Sequence, residues 1–201
     1  TQPSAFGVVT APNAAAAAYS VKVNQVAEAQ RITTNGFAER STSLNLVNGV
    51  NQPFQLSLTV GEGQAQTTNA INVTTATPAG IVSAINGAGL GLSAQLIQTS
   101  GSEPWKVVIT GRTGEAQKFT LSSNSSVNLG LPSYQPDPNN SNAPVLVNAS
   151  NWLQTARNAS LEVNGLAVSR ATNTINDVVD GVTFNLFTAT SGTARLELNR
   201  D

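Results

Sequence analysis

The side chains here that could do chemistry are carboxylates and little else. The 201-residue sequence contains no His and no Cys, so a Ser-His-Asp triad, a Cys-His pair and the common zinc sites cannot be assembled within it. A glycosidase-like carboxylate pair is the remaining enzymatic route, and Glu103, Glu115, Asp177 and Asp180 are its loop-placed candidates. Asp177 and Asp180 stand three apart in Ile175-Asn-Asp-Val-Val-Asp-Gly181. They also read as turn chemistry. Asp180-Gly181 is a turn signal ahead of an alternating run, and Asp177 caps or solvates that turn. With Asn173 and Asn176 these carboxylates offer oxygens to calcium, yet no loop has the alternating acidic pattern of a known calcium site. The sequence therefore assigns no catalytic residue, no metal ligand and no cofactor.

Other binding chemistries fare no better. Gly87-Ala-Gly-Leu-Gly91 follows a helix signal instead of preceding one, so it lacks the helix N-terminus that phosphate binding uses. Ten scattered aromatics form no stacking platform for single-stranded nucleic acid. Trp105 and Trp152 read as core or edge packing ahead of sugar-binding platforms. Asn-x-Ser/Thr sequons at Asn72, Asn124, Asn139, Asn148 and Asn158 are expected by chance in a chain with 22 Asn.

Composition sets the outer bounds. The length suits one large domain or two small ones with a real core. Ten basic and 11 acidic residues give a net charge of −1, and 10% charged residues is far below the usual ~25%. That balance excludes the basic patch nucleic-acid binding needs, and leaves Ser, Thr, Asn and Gln to cover the surface. The longest apolar run, Ala14 to Ala18, is far short of the ~20 residues of a membrane span. Thr1-Gln-Pro lacks the charged start and apolar stretch of a signal peptide, and the missing initial Met implies a fragment of something longer.

Period-2 alternation dominates the chain. Tyr19, Val21 and Val23 alternate with polar residues, as do Phe54, Leu56, Leu58 and Val60, the pattern of half-buried strands. Phe6-Gly-Val-Val-Thr10 reads as the hairpin partner of the Tyr19 strand, turning at Pro12-Asn13. Trp105, Val107 and Ile109 give a further strand that Gly111-Arg-Thr-Gly114 ends, followed by Phe119 and Leu121, then Val182 to Leu186, then Ala194 to Leu198. Short strands separated by Gly, Asn and Pro favour antiparallel sandwiches or rolls.

Helix signals are few. Thr77 caps a helix with Pro78 at its first position, Ile81 and Ile85 lie one turn apart, and Gly87 or Gly89 ends it. A second, shorter helix is predicted at Asn151 to Arg157. Leu131 to Pro144 carries four of the nine prolines and reads as a long loop or linker, because Pro removes donors and fixes φ. Alternation also lapses around Glu39 to Thr42. The fold class is mainly β (β-rich α+β): two antiparallel sandwich- or roll-like domains, one inserted in the other, with one or two short helices. Residues 1–41 plus 145–201 form the discontinuous outer domain and 42–144 the inserted one.

Three motifs carry a resemblance. They are Tyr19-Ser-Val-Lys-Val-Asn-Gln-Val-Ala-Glu-Ala-Gln-Arg-Ile32, Asn158-Ala-Ser-Leu-Glu-Val-Asn-Gly165 and Asn173-Thr-Ile-Asn-Asp-Val-Val-Asp-Gly-Val-Thr-Phe184. In order and spacing they resemble the head region of bacterial flagellar filament cap proteins, the hook-associated protein 2 family. Val26 stands where that family has Leu and Val179 where it often has Ile, both size-conserving changes. Between them, Phe54 to Val60, Ile71-Asn-Val73, Thr77 to Asn86 and Leu92 to Ile97 resemble the "IN" module of flagellins and hook proteins, placing it in the inserted domain. There Ile85 reads as core and Asn86 as a helix-end residue.

The resemblance implies a structural role and no enzyme activity. It implies an extracellular place at the flagellar tip, where the cap promotes flagellin folding and insertion. The implied partners are further copies of the full-length protein in a cap ring, flagellin, and host surface glycans where caps aid attachment; no nucleic acid and no membrane. The alternatives are the outer domain of a flagellin or another hook-associated protein, or a secreted carbohydrate-binding, adhesive β-domain.

Overall fold

The computed structural model describes residues 3–137 and 140–198, so the sequon at Asn139 lies outside the described residues. Strands dominate, with one α-helix, the mainly β class that alternation predicts. Two compact units are formed. One comprises Thr1–Glu28, Thr113–Glu115 and Ala156–Asp201; the other comprises Ala29–Arg112 and Ala116–Thr155. The sequence places the divisions at 41/42 and 144/145. The units part earlier and later because the Ala29–Thr33 and Trp152–Gln154 strands pair with each other, with Ile32 opposite Trp152, and Ile32 is buried in the second unit's core.

In the first unit, a four-stranded antiparallel sheet has the order Leu166–Arg170, Ala159–Val163, Ala17–Gln25, Ala194–Leu198. A three-stranded sheet has the order Phe6–Thr10, Val182–Leu186, Thr174–Val179. Alternation is read out directly: Val23 and Val21 oppose Leu161 and Val163, and Val182, Phe184 and Leu186 are buried while Thr183 and Asn185 are only partly so. One apolar cluster gathers these residues with Phe6 and Ile175; each fully buried aliphatic or aromatic side chain contributes ~1.5–3 kcal/mol relative to exposure. The Ala159–Val163 and Leu166–Arg170 strands join through Asn164 (φ 51°) and Gly165 (φ 80°). Both central residues of such a two-residue turn need positive φ, which Asn-Gly supplies at least cost.

Phe6–Thr10 is not the hairpin partner of the Tyr19 strand. It pairs with Val182–Leu186, Val8 opposite Phe184, because both neighbours of Ala17–Gln25 are already taken.

In the second unit, Phe119–Ser123, Phe54–Val60 and Thr67–Val73 form an antiparallel sheet in that order. Trp152–Gln154, Ala29–Thr33, Trp105–Thr113 and Ser93–Gln98 form a second sheet in that order. The helix Pro78–Gly87 starts as predicted: Thr77 is extended and its hydroxyl accepts the Gly80 N–H at 3.0 Å. Ile81 and Ile85 are buried with Leu56, Leu58, Val107, Ile109 and Leu121. The Trp105–Thr113 strand runs through Gly111, where the sequence ends it. A Cβ there would lie 2.9 Å from the Phe119 ring, so the glycine is a packing choice and not a turn.

Two further expectations are corrected. The proline-rich segment contains a two-stranded ribbon, Ser133–Asp137 with Asn140–Val147, Tyr134 opposite Leu146. Both of its strands are edges, where Pro is tolerated. The predicted helix at 151–157 is absent. Residues Ala149–Asn151 make one 3-10 turn and Trp152–Gln154 is a strand. Asn151 is spent elsewhere, donating to the Gly130 carbonyl at 2.8 Å and to Asn35 Oδ1 at 3.1 Å.

A recurring device ties loops and strands together. Gln30 Nε2 donates to the Phe119 carbonyl (2.6 Å) while its Oε1 accepts the Phe119 N–H (2.9 Å). Asn86 does the same at Ala94, at 3.0 and 2.8 Å. Asn173 does it at Ala27, at 2.9 and 2.6 Å. In each case a side-chain amide stands in for the backbone of an adjacent strand. No helix among the described residues is long and apolar enough to cross a membrane.

Candidate functional site

The candidate carboxylates occupy a strand, a turn, a bend and a 3-10 turn. Asp177 lies on the Thr174–Val179 strand and receives Arg170 Nε on both oxygens, at 3.0 and 2.9 Å. That hydrogen bond, reinforced by the guanidinium charge, holds the Asp177 carboxyl below the usual carboxylate range. Asp180 occupies the turn between Val179 and Val182, as the Asp-Gly signal predicts. Glu103 sits on an exposed bend of the second unit. Glu115 opens a short 3-10 turn, and its N–H is held by Asn158 Oδ1 at 2.9 Å. Asn173, considered with these carboxylates for calcium, has both amide atoms committed to Ala27, while Asn176 is exposed on its strand. Among the described residues no three His, Cys, Asp or Glu side chains are grouped to hold a metal ion.

The two tryptophans differ. Trp105 exchanges backbone hydrogen bonds with Phe37 (2.8 and 3.0 Å) and packs on the core, with the Arg40 guanidinium 5.5 Å from its ring centroid. It is edge packing, as the sequence suggests. Trp152 lines a cleft of about 340 Å³. Its indole N–H donates to Thr155 Oγ1 at 3.1 Å, which fixes the ring. Tyr134, from the ribbon, meets it edge-on at 6.0 Å and 67°. Lys118 and Glu62, paired at 3.3 Å, supply charge at the same cleft. The arrangement offers an aromatic wall, hydroxyls and a fixed ion pair, enough to orient a small polar ligand but without a nucleophile–base pair.

Sequence reasoning misses Gln30 and Asn173 as clamps and understates Asn86, read as only a helix end. Each lies within a motif that carries the family resemblance: Gln30 near the end of Tyr19–Ile32, Asn86 at the end of Thr77–Asn86 and Asn173 at the start of Asn173–Phe184.

Comparison with known proteins follows the same lines. Residues 156–201 match the model of the family "Flagellar hook-associated protein 2 C-terminus". The chain is 30% identical over 176 residues to flagellar hook-associated protein 2 of Escherichia coli K12, covering 87% of this chain and 35% of that one. It is 26% identical over 199 residues to the A-type protein of Pseudomonas aeruginosa, covering 94% and 40%. It therefore spans little more than a third of the curated relatives it matches. Among solved structures, the D2-D3 domains of the flagellar cap protein FliD from Serratia marcescens superpose with a TM-score of 0.76 at 27% identity, covering 97% of this chain and all of that one. The E. coli D1-D2-D3 structure gives 0.77 at 27%, covering 98% and 55%. The resemblance carried by the motifs is thus shown across almost the whole chain, and it falls on the D2-D3 region of the flagellar cap protein.

Proposed function

We propose that, as a D2-D3 region of a flagellar hook-associated protein 2, this chain is the head of a filament cap. Its work is geometric: several copies, joined in the full-length protein, close the growing extracellular tip while arriving flagellin folds and inserts. The observation that carries this reading is the coverage of the D2-D3 structures, 97% of this chain against the whole of the Serratia pair at a TM-score of 0.76.

Deleting the parent gene tests it. The expected cells secrete unpolymerised flagellin and swim poorly, and supplying the full-length protein restores filaments. Normal filaments and motility in the deletion would sink the cap reading.

A second reading rests on the cleft of Tyr134 and Trp152, whose aromatic wall and hydroxyls suit the face of a sugar ring. It gives the head a glycan-binding role alongside capping. Glycan-array binding that Tyr134→Ala abolishes supports it; no binding by the intact chain removes it.

A further inference from the structure

A sheet ends where its last strand turns N–H and C=O groups outward, and proteins close such edges with charges, prolines, bulges or covering groups. The second unit closes two of them with amides. Gln30 occupies the outward groups of Phe119 on the Phe119–Ser123 strand, and Asn86 those of Ala94 on the Ser93–Gln98 strand.

A further edge is Thr67–Val73. Gln55 exchanges hydrogen bonds with Asn124 on the far side of its strand. Hence Leu56, Leu58 and Val60 point their backbone groups at Ile71, Asn69 and Thr67. By the alternation of an antiparallel ladder, Thr68, Ala70 and Asn72 turn theirs outward. Among the described residues nothing pairs with them. The strand carries no charge and no proline, its register is unbroken over seven residues, and Thr67 to Ala70 are exposed. Beside the edge run two adjoining hollows of about 350 and 430 Å³ that share Asn72, Ser83 and Ala84. The helix side of the second is Ser83, Ala84, Gly87 and the capping Ala88, too small to fill the space where side chains of an added strand would lie.

We propose that this edge receives the same edge of a second copy of the chain, antiparallel, with a two-fold axis through Ala70. The outward groups are evenly spaced about Ala70, so one alignment satisfies them all: Thr68 opposite the partner's Asn72, and Ala70 opposite the partner's Ala70. Each opposed pair exchanges two hydrogen bonds. No like charges meet, because the strand has none. Ile71 lies opposite the partner's Asn69 on the helix side, and both fall over the hollow. The interface is isologous and self-closing, unlike the head-to-tail contacts of a ring, and does not depend on the cap reading. A single strand pairing is a small contact, and interfaces below roughly 1,200 Å² are weak and concentration-dependent.

Cross-linking tests it without relying on stability. The chain has no Cys, so Ala70→Cys introduces a single thiol. Its Cα would lie ~5.5 Å from the partner's, within disulfide reach. Under mild oxidation of the whole chain, Ala70→Cys should form disulfide dimer roughly tenfold faster than Leu166→Cys, an exposed control on the first unit, because pairing raises the effective thiol concentration. In parallel, Ala70→Pro should abolish concentration-dependent dimer in sedimentation velocity. The Ala70 N–H serves no bond within the fold, so Pro is tolerated there, and unchanged near-ultraviolet circular dichroism verifies it. Cross-linking no faster than the control, or self-association untouched by Ala70→Pro, overturns the proposal. If the Ala70→Cys variant captures an added uncharged thiol peptide at this edge without linking to itself, the proposal is also overturned and the edge belongs to another polypeptide.

Discussion

The two units build β-rich cores from the same charge-poor composition, but specify them differently. Among the described residues, every buried polar side chain — Gln30, Thr33, Thr34, Asn45 and Asn151 — belongs to the second unit. The first unit's core is built without them, and its registers rest on alternation, on two-residue turns such as Asn164-Gly165 and on the partly buried Asn173 clamp at Ala27. In the second unit amides and hydroxyls hold irregular segments: Asn45 donates to the Gln52 and Pro53 carbonyls and accepts the Ser126 N–H, and Thr34 Oγ1 accepts the Val107 N–H. An apolar pattern suffices in the first unit even though three of its strand pairings join distant segments. Where irregular segments must be fixed, buried hydrogen bonds select one arrangement, since the alternative is an unpaired polar group in the core.

The largest expected effect comes from the first unit. Phe184 is fully buried, and Phe184→Ala should cost about 3–5 kcal/mol. Both tryptophans lie in the second unit, so their fluorescence reports that unit while far-ultraviolet circular dichroism reports both. We propose that the units are separate domains, one inserted in the other. Urea titration of Phe184→Ala should then lower the early circular-dichroism transition and leave the fluorescence midpoint in place. Equal shifts in both signals would break the contrast.

Next is Gln30→Leu, which strands the N–H and C=O of Phe119. A loss of about 1–3 kcal/mol should appear in the fluorescence transition; no change would mean that the amide clamp is dispensable. Gly165→Ala, at φ 80°, should cost about 1 kcal/mol, read in the circular-dichroism transition alone.

The smallest effect concerns pH. The Asp177 carboxyl is held low by Arg170, so its stabilising contribution is present above the unfolded-state pKa and fades as pH falls through the lower folded value. Because the pair is exposed, salt and solvent screen it. Asp177→Asn should leave the melting temperature near neutrality almost unchanged and slightly flatten its decline at acid pH. A large loss at neutral pH would give the pair an importance its exposure denies.

Much of the fold is legible in the residues. The strands around Val21, Leu56, Val107 and Phe184 follow from alternation, and the helix from Thr77, Pro78 and the Ile81–Ile85 spacing. What escapes is non-local. Phe6–Thr10 finds its partner far along the chain at Val182–Leu186, and nothing in five residues names that partner. Pro132 to Pro144 argue against any strand because proline cannot sit centrally in a sheet, an argument with no force in a two-stranded ribbon. Asn151 resembles a helix cap because a capping side chain and a buried donor look alike in sequence. The candidate site is legible mainly as dispersal: lone carboxylates between hydrophobic runs are turns and ion pairs, as Asp180 and Asp177 are. The cleft at Trp152 requires the ribbon to bring Tyr134 beside it.

The chain first enters the second unit at Ala29 and finally leaves it at Thr155, returning to the first unit once between them at Thr113–Glu115, and these two ends form neighbouring antiparallel strands, with Arg31 opposite Gln154 and Ile32 opposite Trp152. Tension applied through those two points does not shear the strands along their length, which would load every bond at once. It peels them apart from the open end, one rung after another, beginning at a register already irregular between Trp152 and Gln154. The second unit is thus built like a zip fastener with its slider at the doorway, yielding first at the seam when pulled. In an optical-trap experiment gripping residues 29 and 155, opening should begin with the Trp152–Gln154 strand, at a force below that needed when the grips are moved to Phe54 and Thr67, which load the paired Phe54–Val60 and Thr67–Val73 strands in shear.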